Sequence, residues 1–526
     1  MTADIYRILL KEAGRIRTIP YLVGGPVRDA WMGRPCADWD LACRRAAKLA
    51  RAMSRRLRGT FIVLDEQNKI YRVIIVGAQN AAMTLDFAER RGATIERDLA
   101  RRDFTINAMA ADLTQGIRGN ATENQGMRRI ANPHFISLVF PSIPSDSLVF
   151  PVIDPFGGIR DIRAHLIRSV SAKAFSDDPL RLLRAFRFAA QLGFRIDSKT
   201  QKSIRRLSGT ALQRVARERI REEFMKLLSQ RGIRRILVDA DRAGLLRSIF
   251  PEIESCRRTA VRFYGPGGVL GHLFETASNV DWIVERLESE GGKPGDRRPW
   301  RPFHPFSESL RLYLESSAGA FPRRAWLKLG GFLHDIGKPE TAKMMKGRLR
   351  FFDHEIVGAE KSRKALGRLR FSRQESQMVS GWVRHHMRLG NLAAAPACTD
   401  KALSRYLRDT APEAPGMILV SLADHYAYLP KSRWGKLTDP VEKMAYRLLD
   451  AYFRRRDDVM PPRLISGHDI MRRLQLRPGP IIGKLLEAVQ DAQADGTVKT
   501  KEEALRYART ASQKLQVKSQ KGMSDL

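Results

Sequence analysis

Asp38 and Asp40, in the stretch YLVGGPVRDAWMGRPCADWDLAC (21–43), are separated by a single residue. On an extended segment that spacing turns both carboxylates to one side and Trp39 to the other. Two like charges held together are costly unless a divalent cation neutralises them, and hard oxygen ligands suit Mg²⁺. A third acid, Asp86 in MTLDFA, stands on a separate β-like run from which it can complete the set. Two ions about 4 Å apart on such carboxylates activate an attacking hydroxyl and stabilise a leaving pyrophosphate. Just upstream, a short apolar run, Gly24-Gly25 and a helical pattern from Val27 offer unpaired backbone N–H groups at a helix N-terminus, where phosphate oxygens are welcome. Taken alone, an Asp-x-Asp turn and a Gly-Gly pair are ordinary surface features; together they describe a site for a triphosphate and metal ions.

A second group of ligand types lies far downstream. His334-Asp335 are adjacent in FLHDIGKPETA, followed by His354 in FFDHE, His385-His386 in VRHHMRL and Asp424 in LADHYAY, with His272 upstream. Neutral imidazoles and carboxylates bind divalent metals that hydrolyse phosphate esters. Any one of these histidines is more often a core or surface residue, and His425 and His468 are read that way. No Walker A lysine loop occurs, which argues against an ATPase.

The elements that must hold these groups differ between the two halves. Residues 20–112 alternate β-like runs (YLVGG, TFIVLD, YRVIIVG, MTLDFA) with helical stretches, as an α/β or α+β domain does. After about residue 172 the pattern is almost wholly helical, the two parts joining near DPFGGIRDIRAHLIRSV (154–170). Between them, 113–153 carries SLVFP twice, and its prolines and serines argue for a loop or an edge hairpin, not a central strand. That segment is read as an insertion without catalytic duty. YGPGGVLG (264–271) marks a further boundary, 291–306 a polar loop, and 455–469 the start of a last, basic helical segment.

The chain has 93 Lys+Arg against 57 Asp+Glu, a formal charge of +36 spread along its length. A field of that sign suits a polyanion whose counterions are released on binding, and predicts binding that weakens with salt. The four cysteines form no CxxC pair and no zinc spacing, so free thiols in a reducing compartment are expected. No apolar stretch reaches spanning length and the N-terminus lacks a signal core, so a cytoplasmic protein without membrane association is expected.

SDDPLRLLRAF reads as a helix start with Ser176 as N-cap, aspartates in the first turn, and Leu180, Leu183 and Phe186 for the core. Acids there complement the helix dipole. Asp178 and Arg181, three apart, also share a face. A carboxylate accepts hydrogen bonds and a guanidinium only donates them. Cytosine and adenine each show an amino donor beside a ring-nitrogen acceptor, whereas uracil and guanine show the reverse, so this pair admits C and A and lets protein act as template.

GGPVRDAWMGRPCADWD, RRDFTINAMA (101–110), DPFGGIRDIRAHLIRSV, DDPLRLLRAFRFAAQLGF (177–194) and ERIREEF (218–224) together resemble, in order, the class II tRNA nucleotidyltransferase and poly(A) polymerase family, the CCA-adding enzymes. By that resemblance Asp38 and Asp40 hold catalytic Mg²⁺, and Asp86 is the third carboxylate. Gly24, Gly25, Arg28, Arg101, Asp103 and Asn107 lie along the nucleotide's sugar and phosphates, and Asp178, Arg181, Arg184 and Arg187 lie on the base-reading side. The implied fold is an α+β nucleotidyltransferase head of mixed sheet and helices (1–170, insertion 113–153), then a helical neck (171–262), an HD-type helical body (268–432) and a helical tail (433–526). The neck and tail are the implied RNA-binding parts. The order H, HD, H, H, D resembles the HD phosphohydrolase superfamily, which implies one or two divalent metals on His272, His334, Asp335, His354, His385, His386 and Asp424.

The implied partners are CTP, ATP and the tRNA 3′ end, and the implied reaction is template-independent addition of CMP and/or AMP. Only Phe87 to Ala100 separate Asp86 from RRDF, shorter than the flexible loop with which full CCA-adding members switch from C to A. A CC-adding or an A-adding specialist is therefore open, as are a poly(A) polymerase and an HD phosphatase or cyclic phosphodiesterase as second or main activity. A non-catalytic RNA-binding protein would leave both ligand sets without purpose.

Overall fold

The computed structural model describes residues 2–34, 38–76, 82–120, 135–138, 146–289 and 301–524. Cys36, residues 291–300 of the stretch read as a polar loop over 291–306, and much of the 113–153 segment fall outside them; Arg301–Phe306 form a short 3-10 helix. Contacts divide the chain into two units, 1–215 with 243–248, and 216–242 with 249–526.

The first unit is built on a nine-stranded mixed sheet, confirming the α+β expectation. Its strands are β1 (Tyr21–Val23), β2 (Trp39–Cys43), β3 (Thr60–Asp65), β4 (Ile70–Val76), β5 (Ala82–Glu89), β6 (Ala110–Asp112), β7 (Ile117–Asn120), β8 (Phe135–Leu138) and β9 (Asp146–Ile153). They run in the order β3-β4-β5-β2-β1-β6-β9-β7, with β8 also paired to β9. All neighbouring pairs are antiparallel except β2 with β5, which sets Asp40 beside Asp86 and Trp39 beside Leu85. Alternation sends Trp39, Leu41, Val73, Leu85 and Phe87 inward, where all five are buried. The helices here include α1 (Thr2–Ile16), α2 (Gly25–Trp31), α3 (Ala46–Leu57), α4 (Ile95–Leu99), α5 (Gly158–Arg163), α6 (Ala174–Asp177) and α7 (Arg181–Leu192).

Two expectations change. The second SLVFP copy (147–151) is not a loop or an edge: it forms most of β9, which pairs with β6, β7 and β8. Pro151 fits there because on the β6/β7 side it falls between the two pairings, β7 meeting 146–149 and β6 meeting 152–153. Nor does Ser176 cap the second helix, since it lies inside α6. Asp178 takes an extended backbone between α6 and α7 and its Oδ1 accepts from the Leu180 N–H at 3.2 Å, so the acid supplies the cap expected of the serine.

The second unit is helical, and its central members are α8 (Gly268–Ser289), α9 (Arg323–Leu333), α10 (His354–Arg368), α11 (Arg373–His385) and α12 (Ala414–Tyr426). Trp326, Leu329, Phe332, Ile418 and Leu422 are fully buried among them. A two-stranded hairpin, β10 (Ala342–Met345) and β11 (Arg348–Phe351), stands between α9 and α10. Near the C-terminus, Ile470, Leu485, Val489, Ala504 and Ala508 form a separate small core, with Pro480 opening the helix Pro480–Ala494. No helix among the described residues is long and apolar enough to cross a membrane.

Candidate functional site

In the head, the turn after β1 brings Gly24 to φ 77°, a backbone region glycine tolerates and other residues avoid. Its N–H donates to the Met109 carbonyl (3.1 Å) and its own carbonyl accepts from the Arg28 N–H (3.1 Å). A Cβ here would meet Arg102 Nη1 at 2.7 Å, so the guanidinium of Arg102 lies directly on the glycine turn. Arg28 is buried; its Nη1 donates to Asn107 Oδ1 at 2.7 Å, and Nε and Nη2 each donate to Asp29 at 2.9 Å. Asn107 Nδ2 passes the chain on to Asp103 Oδ1 at 3.2 Å, which also accepts from the Phe104 N–H at 2.8 Å. Arg184 closes it, donating from Nε (2.9 Å) and Nη2 (2.6 Å) to Asp103 Oδ2. Burial by itself would raise Asp103's carboxyl, but the neighbouring Arg184 charge and the hydrogen bonds hold it below the usual carboxylate value. The guanidinium groups of Arg28, Arg184 and Arg187 lie 5.5, 5.4 and 4.0 Å from the centre of the Phe188 ring.

At the carboxylate end, Asp38 is exposed, Trp39 buried and Asp40 intermediate, the alternation an extended segment produces. Asp38 Oδ1 accepts from Thr84 Oγ1 at 2.5 Å, and Asp86 takes a two-pronged contact from Arg72, 2.7 Å at each oxygen. Burial, with the charges of Asp86 and Asp38 and against those of Arg102 and Arg72, pushes the Asp40 carboxyl up to about 6. A carboxylate crowded in this way by its own kind is one whose ionised form a cation would stabilise, so the donor set fits a divalent ion on Asp38 and Asp40. Arg72 already balances Asp86.

Asp178 and Arg181 sit at the start of α7. Arg181 Nη2 donates to the Arg101 carbonyl (2.7 Å), and Nη1 to those of Ala174 (3.0 Å) and Arg102 (3.3 Å), so this side chain clips the RRDF segment to the helix. Arg101 itself contributes its carbonyl while its side chain faces solvent. Arg72, Thr84 and Arg102 were not singled out from the sequence. Arg102 had a signal, being the second arginine of RRDF; Arg72 and Thr84 depend on strand register.

In the second unit, two groups of ligand atoms gather within 4.8 Å: His272, His334, Asp335 and Asp424, and Asp335, His354 and His386. Among the described residues these are the groups of three or more that do so, and Asp335 belongs to both. Its Oδ2 lies 3.2 Å from Nε2 of His272 and of His334, and its Oδ1 lies 3.1 and 3.4 Å from Nε2 of His354 and His386. His334, His354 and His386 each turn Nδ1 to a main-chain carbonyl, of Gly331 (2.8 Å), Phe351 (2.6 Å) and Val383 (2.7 Å), which leaves Nε2 for the centre. Both Asp335 oxygens and Asp424 Oδ1 are buried without a well-formed hydrogen bond and face ring nitrogens, with the Lys338 ammonium beside Asp335, a donor set that fits divalent metal. Gly337 makes the close approach possible, since a Cβ there would stand 2.3 Å from the His354 carbonyl oxygen. Burial alone would lower the His334 imidazole, but Asp335 and Asp424 raise it to about 10.

His385 is not part of this centre. Adjacent residues on a helix point about 100° apart, so the end of α11 that aims His386 inward turns His385 to a separate cavity beside Trp382 and Asp409, where burial and then Arg388 and Arg384 lower its imidazole. His425 lies 2.8 Å from Asp439, outside the centre. Three neighbours went unremarked in the sequence. Lys338 contacts Asp335 and donates to the Tyr264 hydroxyl (2.6 Å), the Tyr264 ring stacks on His272 with centroids 4.8 Å apart, and the Tyr428 hydroxyl lies 3.3 Å from His272 Nε2. A cavity of about 410 Å³ opens there, lined by Phe263, Tyr264, His272 and Tyr428.

Residues 20–132 match the poly A polymerase head domain, 193–257 the family described as "Probable RNA and SrmB- binding site of polymerase A", 269–429 the HD domain, and 463–508 tRNA nucleotidyltransferase domain 2. The chain is 30% identical over 490 residues to a CC-adding tRNA nucleotidyltransferase of Thermus thermophilus, covering 92% of this chain and 91% of that one. It is 28% identical over 494 residues to an A-adding tRNA nucleotidyltransferase of Deinococcus radiodurans, covering 92% and 93%. Its fold is that of a solved CCA-adding enzyme in apo form, at TM-score 0.58 and 21% identity over 96% of this chain and 93% of that one. With the head geometry and the HD cluster in one chain, the protein belongs to the class II tRNA nucleotidyltransferase and poly(A) polymerase family, as an HD-domain-bearing nucleotidyltransferase.

Proposed function

We propose that this chain adds CMP and/or AMP, from CTP and ATP, to the 3′ end of tRNA in the cytoplasm, releasing pyrophosphate. The observation that carries the reading is the continuous chain from the Gly24 turn through Arg28, Asn107 and Asp103 to Arg184, which joins the phosphate end of the site to α7, the helix that Asp178 precedes and Arg181 begins. Asp38 and Asp40 would hold Mg²⁺, which supplies activation of the attacking hydroxyl and stabilisation of the leaving pyrophosphate. Gly24 and Arg102 receive the triphosphate, and Asp178 and Arg181 select the base by accepting from its amino group and donating to its ring nitrogen. Asp86, braced by Arg72, keeps Asp40 in a negative field.

Between β5 and α4 only residues 90–94 intervene, and they are tied down: the Arg91 N–H donates to Asp98 (2.8 Å) and Glu89 accepts from the N–H groups of Arg45 and Ala46 (2.9 Å each). A segment so short and held favours a specialist, with CC addition the first expectation. Extension of labelled tRNAs ending before CCA, after C and after CC, with CTP and ATP separately and together, decides it. Stopping at CC supports the reading, action on the CC end alone makes it an A-adding enzyme, and long A tails a poly(A) polymerase. No extension under any condition overturns the transferase assignment.

The Asp335-centred cluster favours a second reading, metal-dependent hydrolysis of a phosphoester by the HD domain. Asp38→Ala with Asp40→Ala, and separately His334→Ala with Asp335→Ala, test it: the two activities fail independently if both readings hold.

A further inference from the structure

Apart from Phe351, whose carbonyl holds His354 Nδ1, the β10–β11 hairpin contributes to neither site. Its two-residue turn, Lys346-Gly347, has positive φ at both positions (49° and 73°), the mirror-type turn that suits strand twist. Lys343 pairs with Arg350, Met344 with Leu349 and Met345 with Arg348. Alternation therefore collects Lys343, Met345, Arg348 and Arg350 on one face, and Ala342, Met344, Leu349 and Phe351 on the other. Every residue from Ala342 to Arg350 is exposed. From Thr341 to Phe352 there are four basic residues and no acid. Of the acids at its base, Glu340 accepts from Lys361 at 2.5 Å and Glu355 lies 3.4 Å from His354, while Asp353, at the N-cap of α10, pairs with none of the hairpin's basic residues. None of Lys343, Lys346, Arg348 and Arg350 makes an ion pair among the described residues.

Like charges directly opposite each other destabilise an antiparallel pair, and a lone two-stranded hairpin is marginal in water. The Lys343–Arg350 pair in such a setting is a liability that an anion removes. Arg348 stands two residues along the strand from Arg350, about 7 Å on, a spread that successive phosphodiesters cover and a single phosphate does not. We infer that the Lys343/Arg348/Arg350 face binds the phosphate backbone of the RNA substrate. The inference rests on the reading of tRNA as acceptor. Phe351, at the hairpin's last position, supplies the carbonyl that holds His354 Nδ1, so RNA bound here lies against the HD centre.

The test uses the full-length protein and a fluorescent tRNA lacking CCA, with affinity measured by anisotropy from 50 to 200 mM salt. Changing Lys343→Gln, Arg348→Gln and Arg350→Gln together should weaken binding roughly tenfold or more and flatten the slope of log K against log salt by about 2, since each phosphate contact contributes about 0.7–0.9. The charge-preserving set Lys343→Arg, Arg348→Lys and Arg350→Lys should bind as the parent does. An unaltered melting curve and CTP affinity of the glutamine variant establish that the rest of the molecule is intact. Parental affinity and slope in the glutamine variant overturn the inference, as does loss of binding to phosphatidylserine/phosphatidylcholine vesicles with tRNA binding retained. A parent protein that binds no tRNA overturns the acceptor reading as well, which separates the two failures.

Discussion

Arg184 grips the buried Asp103 carboxylate with two nitrogens on one oxygen, 2.9 Å from Nε and 2.6 Å from Nη2 to Oδ2. Removing the guanidinium strands a charge among Phe104, Asn107 and α7. Arg184→Ala should lower unfolding stability by about 3 kcal/mol, read as a lower urea midpoint, and adding Asp103→Asn should restore part of it. Asp103's carboxyl is held below its ordinary value, so it stabilises the fold above the unfolded carboxylate pKa of about 3.9; that contribution disappears as pH falls through the lower folded value. Acid denaturation between pH 4 and 2 should accordingly be shallower in Asp103→Asn.

Asp40 has the opposite sign. Its carboxyl is raised to about 6, so the metal-free folded protein holds a proton there that the unfolded chain has lost, and stability falls as pH rises from about 4 to 6. Asp40→Asn should stabilise the metal-free protein at pH 7 by roughly 2 kcal/mol while abolishing nucleotide transfer. Mg²⁺ should raise the melting temperature of the parent at pH 7 and leave that of the variant less affected.

On the proposed role, Asp178→Ala removes the acceptor for the base's amino group, together with the Leu180 N–H cap, and removes none of the atoms of Arg181's clip on the RRDF backbone. Incorporation of UMP or GMP relative to CMP should rise roughly tenfold to a hundredfold, the worth of one to two hydrogen bonds, in single-nucleotide extension assays. Unchanged selectivity would remove Asp178 from the base-reading role.

Asp335 touches both groups of histidines, so Asp335→Asn should reduce bound divalent metal, measured by plasma mass spectrometry, more than His386→Ala does. CTP incorporation into tRNA should stay within about twofold of the parent in either variant, because the ligands proposed for the head, Asp38 and Asp40, are a separate set. A change of His385→Ala should leave metal content alone.

What could be read from the sequence was the chemistry carried by neighbouring residues: the Asp38/Asp40 pair, the Gly24 turn and the His334-Asp335 step. Local spacing decides those, whereas RRDF entered through its resemblance to the family's motif. Contacts that depend on which strand lies beside which stayed hidden, as with Arg72, which reaches Asp86 only because β4 and β5 pair with Arg72 opposite it. The choice between His385 and His386 turned on helix phase at a C-terminus, which adjacent letters do not reveal. The β9 strand escaped because a proline ordinarily argues against an interior strand, and its tolerance here depends on where the β6 and β7 pairings stop.

The clip by which Arg181 holds the carbonyls of Arg101 and Arg102 has a further outcome. Arg102's side chain rests on Gly24, so the clip links the start of α7, where base selection is proposed, to the turn proposed for the phosphates. On the proposed roles, replacing Arg181 removes its hydrogen bonds to Arg101 and Arg102 along with its contact to the base, so nucleotide choice and triphosphate affinity should change together. Asp178 makes none of these contacts to Arg101 and Arg102, so altered specificity should be more accessible there, at the cost of the Leu180 N–H cap.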